Sequence, residues 1–289
     1  MKVVRVKTLT AIDAASPATT CQIAGQQPAR ARMRQSIQEA WHYRTLLWHL
    51  IIMDLKVRYR NSLLGFLWTL LNPILLMLVM WMVFGRFRPA RTENYAMFLL
   101  AGLMTWTFFA GSVNAGLASM LRHRSLLKKL YLPKVIFPLA TVGSQLVNYL
   151  FFLLAYLILT PFAGMRPHPV WLMLLPATAM VFLFSLGLAY VLAALNVYFR
   201  DITHITAAVM RAWFYLTPIF YSMDLFPRHI WLFLLNPMTY MVECIRQPLL
   251  EASMPSWEMW VVGYLWGLLL LVIGHGIFKR LEHDFIYYL

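Results

Sequence analysis

Long, nearly uncharged apolar runs are the feature that most restricts how this chain can fold. No residue from Val170 to Phe199 is charged, and about 20 consecutive apolar residues form a helix long enough to cross a bilayer. The 289 residues are 61% hydrophobic and 12% charged, about half the charged fraction of a typical soluble domain. The sequence therefore predicts an all-α polytopic membrane protein.

Six such runs predict six transmembrane helices, and the charges between them indicate the orientation. Six crossings place both termini on one side of the membrane, and that side carries 18 of the 25 Lys and Arg residues. Because cytoplasmic segments are enriched in Lys and Arg, we expect both termini in the cytoplasm. The same distribution accounts for the net charge of +14 without nucleic acid. The expected spans are 63–84, 95–118, 135–160, 170–197, 203–222 and 258–278.

The chain before the first span divides into two parts, which precede a transmembrane domain at residues 63–289. Residues 1–35 have no apolar signal-peptide stretch and predict a flexible cytoplasmic tail. Residues 36–62 predict a basic amphipathic helix that lies in the membrane interface, although docking of a partner protein explains it equally well. The apolar stripe of this helix consists of Ile37, Trp41, Trp48, Ile52, Leu55 and Tyr59.

The segment between the last two spans, residues 224–257, is apolar but broken. IWLFLL is too short to cross the membrane, and Asn236–Pro237 interrupts the helical pattern after it. Two short re-entrant helices that dip into the outer leaflet fit this pattern better than a solvated loop does. Irregular backbone at that depth must pack on protein or line a wet cavity.

The residue patterns of common membrane enzymes are missing. The sequence contains no HExxH, no DxD and no GxxxxGK[ST] phosphate loop, and Cys21 and Cys244 lack metal-ligand spacing. We therefore expect no catalytic residue, no metal and no cofactor bound by this chain. A membrane glycosyltransferase, the enzymatic alternative, would normally carry an acidic cluster near the end of a span. Energy for transport would have to come from another subunit.

Charged residues mark two further candidate sites near the fifth span. Arg211 is the only Lys, Arg, Asp or Glu well inside an expected span. It is either a functional cation that faces a water-filled path or a structural arginine paired with carbonyl groups. Arg200 and Asp201 close a tight turn before this span, and Asp201 is expected to be its N-cap, accepting a backbone N–H bond.

The loop at 119–134 has five basic residues and no acidic one. Its length predicts a short cytoplasmic helix. The charges alone would satisfy a topology signal, but leucines at 121, 126, 127 and 130 add apolar positions that could enter a groove on a partner.

Five stretches occur in an order and spacing that resembles one transporter family. They are DLKVRYRNSLLGFLWTLLNPILLMLVMWMVF, LYLPK, LNVYFRDI, WFYLTPIFYSMDLFP and LLNPMTYMVECIRQPL. The chain is similar over about residues 36–289 to the permeases of polysaccharide-exporting type-2 ABC transporters. These are membrane subunits that export lipid-linked O-antigen, capsule or wall teichoic acid.

This resemblance implies a homodimer in the bacterial inner membrane with two copies of a cytoplasmic ABC ATPase, which binds ATP and Mg. The expected substrate is a lipid-linked, O-antigen-like polysaccharide. The alternatives are another glycan, such as capsule or teichoic acid, or small lipids and drugs. The resemblance also implies that the segment broken at Asn236 and Pro237 is an outer gate. The loop after the second span would be a coupling helix to the ATPase, with Arg122, Arg124, Leu126, Leu127, Lys128 and Lys129.

Aromatic residues in three spans are candidates for a sugar path. Their flat apolar faces suit sliding sugar rings, although a lipid-facing aromatic belt is the alternative for each of them. Together with Arg211, the expected channel residues are Trp68, Trp81, Trp106, Phe108, Phe109, Trp213, Phe214 and Tyr215.

Overall fold

The computed structural model describes residues 33, 38–39, 41–59, 67–84, 94–129, 132–223 and 230–288. Within these ranges the secondary structure is helical and no β-strand occurs, as the all-α prediction requires. The expectations for Ile37, for Leu130 and for nearly all of the 1–35 tail lie outside the described residues. The α-helices are α1 Arg44–Tyr59, α2 Leu67–Phe84, α3 Tyr95–Arg122, α4 Arg124–Lys129, α5 Ile136–Leu159, α6 Leu174–Tyr198, α7 Ile202–Leu216, α8 Ile230–Leu234, α9 Pro237–Leu250, α10 Trp257–Leu281 and α11 Phe285–Tyr288.

Four stretches of the described chain are long and apolar enough to cross a membrane. They correspond to the second, third, fourth and sixth expected spans. At the first and fifth expected spans lie α2, with 18 residues, and α7, with 15 residues. At 1.5 Å per residue α7 extends only about 22 Å, so the six-span arrangement stays a prediction. The four stretches are Tyr95–Lys129, Ile136–Leu159, Pro169–Tyr198 and Trp257–Leu281.

Helix α6 packs closely against both α3 and α10, and small residues make this possible. Gly116 of α3 lies against Ala189 of α6. Gly187 of α6 lies against the backbone of α10, where an added Cβ atom would be 2.5 Å from the carbonyl carbon of Leu270. Helices in membranes rely on such small residues because lipid provides no hydrophobic driving force between them. These contacts fix the frame on which the other helices pack.

Helix α1 packs across α5 through a side that the apolar stripe did not indicate. Leu50 and Ile51 are buried, and the Ile51 side chain lies against Gly143 of α5. The stripe residues Trp41 and Trp48 are instead 72% and 58% exposed. Helix α1 thus has one apolar side on the bundle and another directed away from it.

Two polar contacts also join α1 to the ends of neighbouring helices. The Asp54 carboxylate lies 3.5 Å from the Arg122 guanidinium at the end of α3. The Arg58 guanidinium donates a 3.1 Å hydrogen bond to the side-chain oxygen of Gln145 in α5. Helix α1 is therefore fixed to the two helices that flank α4.

The turn between α6 and α7 is closed differently from the sequence prediction. Asp201 does precede α7, but it has helical backbone angles, φ −65° and ψ −20°, and its side chain makes no cap bond within the described chain. An N-cap side chain normally reaches back from an extended backbone conformation, so the prediction that Asp201 caps α7 is wrong. The Asp201 carbonyl instead accepts the N–H groups of His204 and Ile205.

Asn196 makes the side-chain contacts that hold this turn. It is 2% exposed and donates a 3.0 Å hydrogen bond to the carbonyl of Leu117 in α3. Its side-chain oxygen accepts a 2.9 Å hydrogen bond from the Thr203 hydroxyl of α7. One amide side chain therefore joins α3, α6 and α7.

We expect Asn196→Leu to destabilise the protein by about 1–3 kcal/mol, because it removes both hydrogen bonds of a buried amide side chain. Asp201→Leu should change stability by less than about 0.5 kcal/mol, since no cap is lost. Thermal unfolding of the detergent-purified chain compares the two variants. An equal or larger loss for Asp201→Leu would contradict this account of the turn.

Candidate substrate path, coupling surface and outer segment

Helix α7 presents an exposed stripe that contains charge. His204, Arg211 and Tyr215 are exposed, and their spacing of seven and then four residues places them on one face of the helix. On the other side Thr206 and Met210 are buried against the bundle. Charged groups within a membrane face protein or water rather than lipid. We call His204, Arg211 and Tyr215 the α7 stripe.

An aromatic cluster supports α7 from behind this stripe. The ring of Trp106 in α3 packs on Phe214 with centroids 5.5 Å apart. The ring of Phe109 packs on Trp213 at 5.2 Å. Such edge-to-face pairs add about 0.5–1.5 kcal/mol each beyond area burial. The cluster thus fixes the rotation of α7 and with it the direction of the stripe.

The expected channel residues fall into three groups by exposure. Three of them are packed inside the bundle, where Phe108 contacts Tyr149 of α5. These three side chains form no surface on the described chain. The exposed residues are Trp68, Trp81, Arg211 and Tyr215, the half-buried ones are Trp213 and Phe214, and the buried ones are Trp106, Phe108 and Phe109.

The expected short helix after α3 is present as α4, but its leucines point inward. Leu127 is 6% exposed, and Leu126 is half-buried against the same core. The prediction that both leucines are free for a partner is therefore wrong for Leu127. The surface that α4 and its preceding turn offer is basic, with Arg122, Arg124, Lys128 and Lys129 exposed.

His123 sets the angle between α3 and α4. Its Nδ1 atom lies 2.9 Å from the carbonyl oxygen of Ser119. Its ring packs on Phe137 of α5 with centroids 5.1 Å apart. These contacts hold the basic surface of α4 on the bundle.

Asn236 begins α9 and also fixes the end of α7. Its side-chain oxygen accepts the Met238 N–H at 3.0 Å, a helix N-cap, and the Trp213 indole N–H at 2.8 Å. Its amide nitrogen donates to the Thr217 hydroxyl at 3.1 Å. Pro237 occupies the first turn of α9, where a missing N–H costs nothing. The predicted helix break at Asn236–Pro237 is confirmed, while re-entry into the outer leaflet stays a prediction.

Arg246 of α9 is a buried cation. Only 3% of its side chain is exposed, and it pairs with the Glu243 carboxylate at 2.8 Å. One of its nitrogens donates to the carbonyls of Pro218 at 2.9 Å and Ile219 at 3.1 Å. Its guanidinium lies over the Phe98 ring, 3.8 Å from the centroid. This side chain therefore contacts α3, α9 and the segment after α7 together.

Comparison with known proteins gives the family to which these helices belong. Residues 45–250 match the family described as ABC-2 type transporter. The chain belongs to that family. The O-antigen export system permease protein RfbA of Klebsiella pneumoniae is 30% identical over 80% of this chain and 90% of its own length. The O-antigen export system permease protein RfbA of Myxococcus xanthus is 34% identical over 88% of this chain and 98% of its own length. The polysialic acid transport protein KpsM of Escherichia coli is 23% identical over 81% of this chain and 92% of its own length.

Two residues of this ABC-2 type transporter were not singled out from its sequence. Arg246 and Asn196 occur in the stretches LLNPMTYMVECIRQPL and LNVYFRDI, but neither is a candidate site residue on the sequence pattern. A signal existed for Arg246, because Glu243 and Arg246 stand three residues apart in a helix that has no other charged residue. Asn196 carries no such signal, since its partners lie in distant parts of the chain.

Proposed function

We propose that this chain is the membrane subunit of an ATP-driven exporter of lipid-linked polysaccharide, O-antigen-like rather than capsular. The similarity to the O-antigen export permeases carries the proposal, because identity is 30–34% over 80–88% of the chain. The polysialic acid transport protein KpsM and the capsule polysaccharide export protein CtrC of Neisseria meningitidis are each only 23% identical. The chain would lie in the bacterial inner membrane, cross it six times and keep both termini in the cytoplasm.

The exposed faces of α2 and α7 support a homodimer. Helix α2 leaves Trp68, Trp81 and Met82 about half to four-fifths exposed, and α7 exposes Arg211 and Tyr215. A stripe with a charged residue needs a protein or water neighbour in the membrane. A second copy of the chain that covers α2 and faces the α7 stripe would supply it. A symmetric dimer is also the commonest oligomer.

The substrate path of this proposal runs along the α7 stripe. Arg211 would attract the phosphate or acidic sugars of the lipid-linked glycan. Trp68, Trp81 and Tyr215 would offer their ring faces to the sugars. The cluster of Trp106, Phe109, Trp213 and Phe214 would hold the stripe in place. Neutral small lipids or drugs would have no use for the arginine, and no described residue favours them.

The ATPase partner would dock on the basic surface of α4. ATP and Mg would be bound by that partner, since the sequence here lacks a phosphate loop. Arg122 joins this surface to α1 through Asp54, and Leu127 and His123 join it to α5. Motion of the ATPase would thus reach α1, α3 and α5 through packed contacts.

The proposal is tested by deleting the gene in its source strain and restoring it on a plasmid. We expect the deletion to leave lipid-linked polysaccharide inside the cell and the plasmid to return it to the surface. Gels of surface polysaccharide, before and after cell lysis, separate failed export from failed synthesis. Normal surface O-antigen in the deletion strain, with loss of capsule instead, would move the assignment to capsule export.

We expect Lys128→Glu/Lys129→Glu to weaken retention of the ATPase by at least about tenfold, because reversed charges at a complementary interface cost several kcal/mol. Both side chains are exposed, so the fold should not change. Co-purification of the ATPase with the tagged chain measures the effect. Arg166→Glu, an exposed charge on the opposite side of the predicted topology, is the control. Equal ATPase retention in both variants would contradict docking on α4.

A further inference from the structure

The chain leaves α7 as irregular backbone that is buried. Thr217 is extended, with φ −89° and ψ 133°, and Thr217, Pro218 and Ile219 are buried. Backbone of this kind survives at membrane depth only where other groups satisfy its N–H and C=O groups. The question is therefore which groups bind the carbonyls of residues 216–220.

Three side chains from other helices bind these carbonyls in succession. Asn236 donates to Leu216 at 3.3 Å, and Tyr95 of α3 donates to Phe220 at 2.6 Å. Between them Arg246 donates to the carbonyls of Pro218 and Ile219. We call Tyr95, Asn236 and Arg246 the outer clamp. It satisfies nearly every carbonyl of the segment with donors from α3 and α9.

Arg246 is the member of the outer clamp that binds two carbonyls. A buried ion pair is often no more stable than a well-packed hydrophobic pair, because its desolvation is costly. The pair with Glu243 therefore does not by itself explain a buried arginine here. What an apolar residue cannot do is donate to two successive carbonyls while it contacts Glu243 and Phe98.

Helix α3 is shaped to admit this guanidinium. An added Cβ atom at Gly102 would lie 2.7 Å from Nη2 of Arg246 and 3.2 Å from the Ile219 carbonyl oxygen. Any larger residue at 102 would displace the donor from its carbonyls. Glycine at this position is thus part of the same arrangement.

We propose that Arg246 is a positioning residue for transport, which fixes the outer end of α7 to α3 and α9. This inference rests on the proposed function above. Movement of the outer segment α8–α9 then carries the end of α7 with it, and the direction of the α7 stripe depends on α9. Loss of the Arg246 contacts should uncouple these elements without removing any residue of the stripe.

The first test removes both charges of the pair, so that neither is left buried alone. The variant Glu243→Gln/Arg246→Ala is compared with wild type in complex with its ATPase. We expect the amount of complex and its ATP hydrolysis to stay within about twofold. Surface polysaccharide per complex should fall at least about tenfold, the effect of 1.4 kcal/mol. Amide hydrogen exchange at residues 217–221 should rise at least about tenfold, since local opening becomes easier.

The second test displaces the guanidinium and leaves both charges in place. Gly102→Ala should reproduce the loss of export per complex and the faster exchange at 217–221. Gly276→Ala is the matched control, because nothing lies within 4 Å of an added Cβ atom there. If the double variant does not assemble, export per complex and exchange at 217–221 in Gly102→Ala test the proposal without it. Export per complex equal to wild type in Gly102→Ala would overturn the proposal.

The third test replaces the Arg246 contacts with a covalent link. A Cβ atom at 102 would lie 3.1 Å from Cγ2 of Ile219, within reach of a disulfide. Gly102→Cys/Ile219→Cys is therefore added to the double variant. We expect the disulfide to restore both slow exchange and export. Neither should be restored when the disulfide is reduced or when only one of the two cysteines is present. A formed disulfide that restores slow exchange without export would show a merely structural role and overturn the proposal.

The exchange measurement separates this inference from the proposed function. If the wild-type complex moves no polysaccharide, the proposed function fails. The outer clamp is still tested by exchange at 217–221, which needs no substrate. Unchanged exchange in both Glu243→Gln/Arg246→Ala and Gly102→Ala would overturn the clamp itself.

Discussion

Gly187→Val should prevent the chain from folding, a larger effect on stability than we expect of Asn196→Leu. The Cβ atom of valine would lie 2.5 Å from the Leu270 carbonyl carbon and 2.5 Å from the Leu271 nitrogen. These are backbone atoms of α10 and cannot rotate away, so α6 and α10 would have to separate. Overpacking costs about 1–3 kcal/mol even when side chains can move, and here we expect more than about 3 kcal/mol. Yield of monodisperse chain in mild detergent measures it, with an expected loss of at least about tenfold.

Gly276→Val is the control for this substitution. Gly276 is also a helical glycine, in α10, and an added Cβ atom there meets nothing within 4 Å. Valine is a better helix former than glycine, so the control should fold at least as well as wild type. Equal yields of the two variants would show that α6 and α10 do not approach as described.

The sequence predicted those parts of the fold that depend on local patterns. Apolar length located the helices at 95–118, 135–160, 170–197 and 258–278, because a bilayer imposes that length. The break before Pro237 was also predicted, since Asn and Pro favour helix starts in any context. These features need no knowledge of which helix packs on which.

Contacts between distant parts of the chain were not predicted. The sequence alone does not distinguish a solvated arginine at 246 from a buried one. Its contacts with the Pro218 and Ile219 carbonyls become visible only in the fold. Asp201 has the right chemistry for an N-cap, but its backbone angles are helical and its side chain makes no cap bond. Asn196 instead joins the turn to α3 and α7 through its amide. Periodicity alone could not foresee either outcome.

The leucines of α4 illustrate the same limit at the candidate site. A basic loop with apolar positions fits a helix that docks on a partner and equally a helix that packs on its own bundle. The structure shows the second for Leu127, which is buried in the same core cluster as Phe137. We therefore assign the proposed docking of the ATPase to the exposed Arg and Lys residues of α4 and not to its leucines. A test at Leu127 would measure folding instead of coupling.

Arg211→Gln should abolish most export while the complex still assembles. Arg211 is exposed on the described chain, and no neighbouring helix depends on it for packing. In the proposed path it attracts an anionic group of the substrate. A unit charge about 6 Å away at an effective dielectric of about 20 contributes roughly 3 kcal/mol. Loss of even half of this predicts export at least about tenfold slower.

The comparison to make is surface polysaccharide per assembled complex across three variants. Arg211→Lys keeps the charge but not the planar fork of donors, so it should retain part of the transport. Arg200→Gln removes an exposed arginine from the turn before α7 and lies off the stripe, so it should export normally. Because Arg200 and Arg211 are both exposed, a difference in assembly is not expected. Normal export by Arg211→Gln, or a loss that only follows the amount of complex, would make Arg211 structural and remove the α7 stripe from the substrate path.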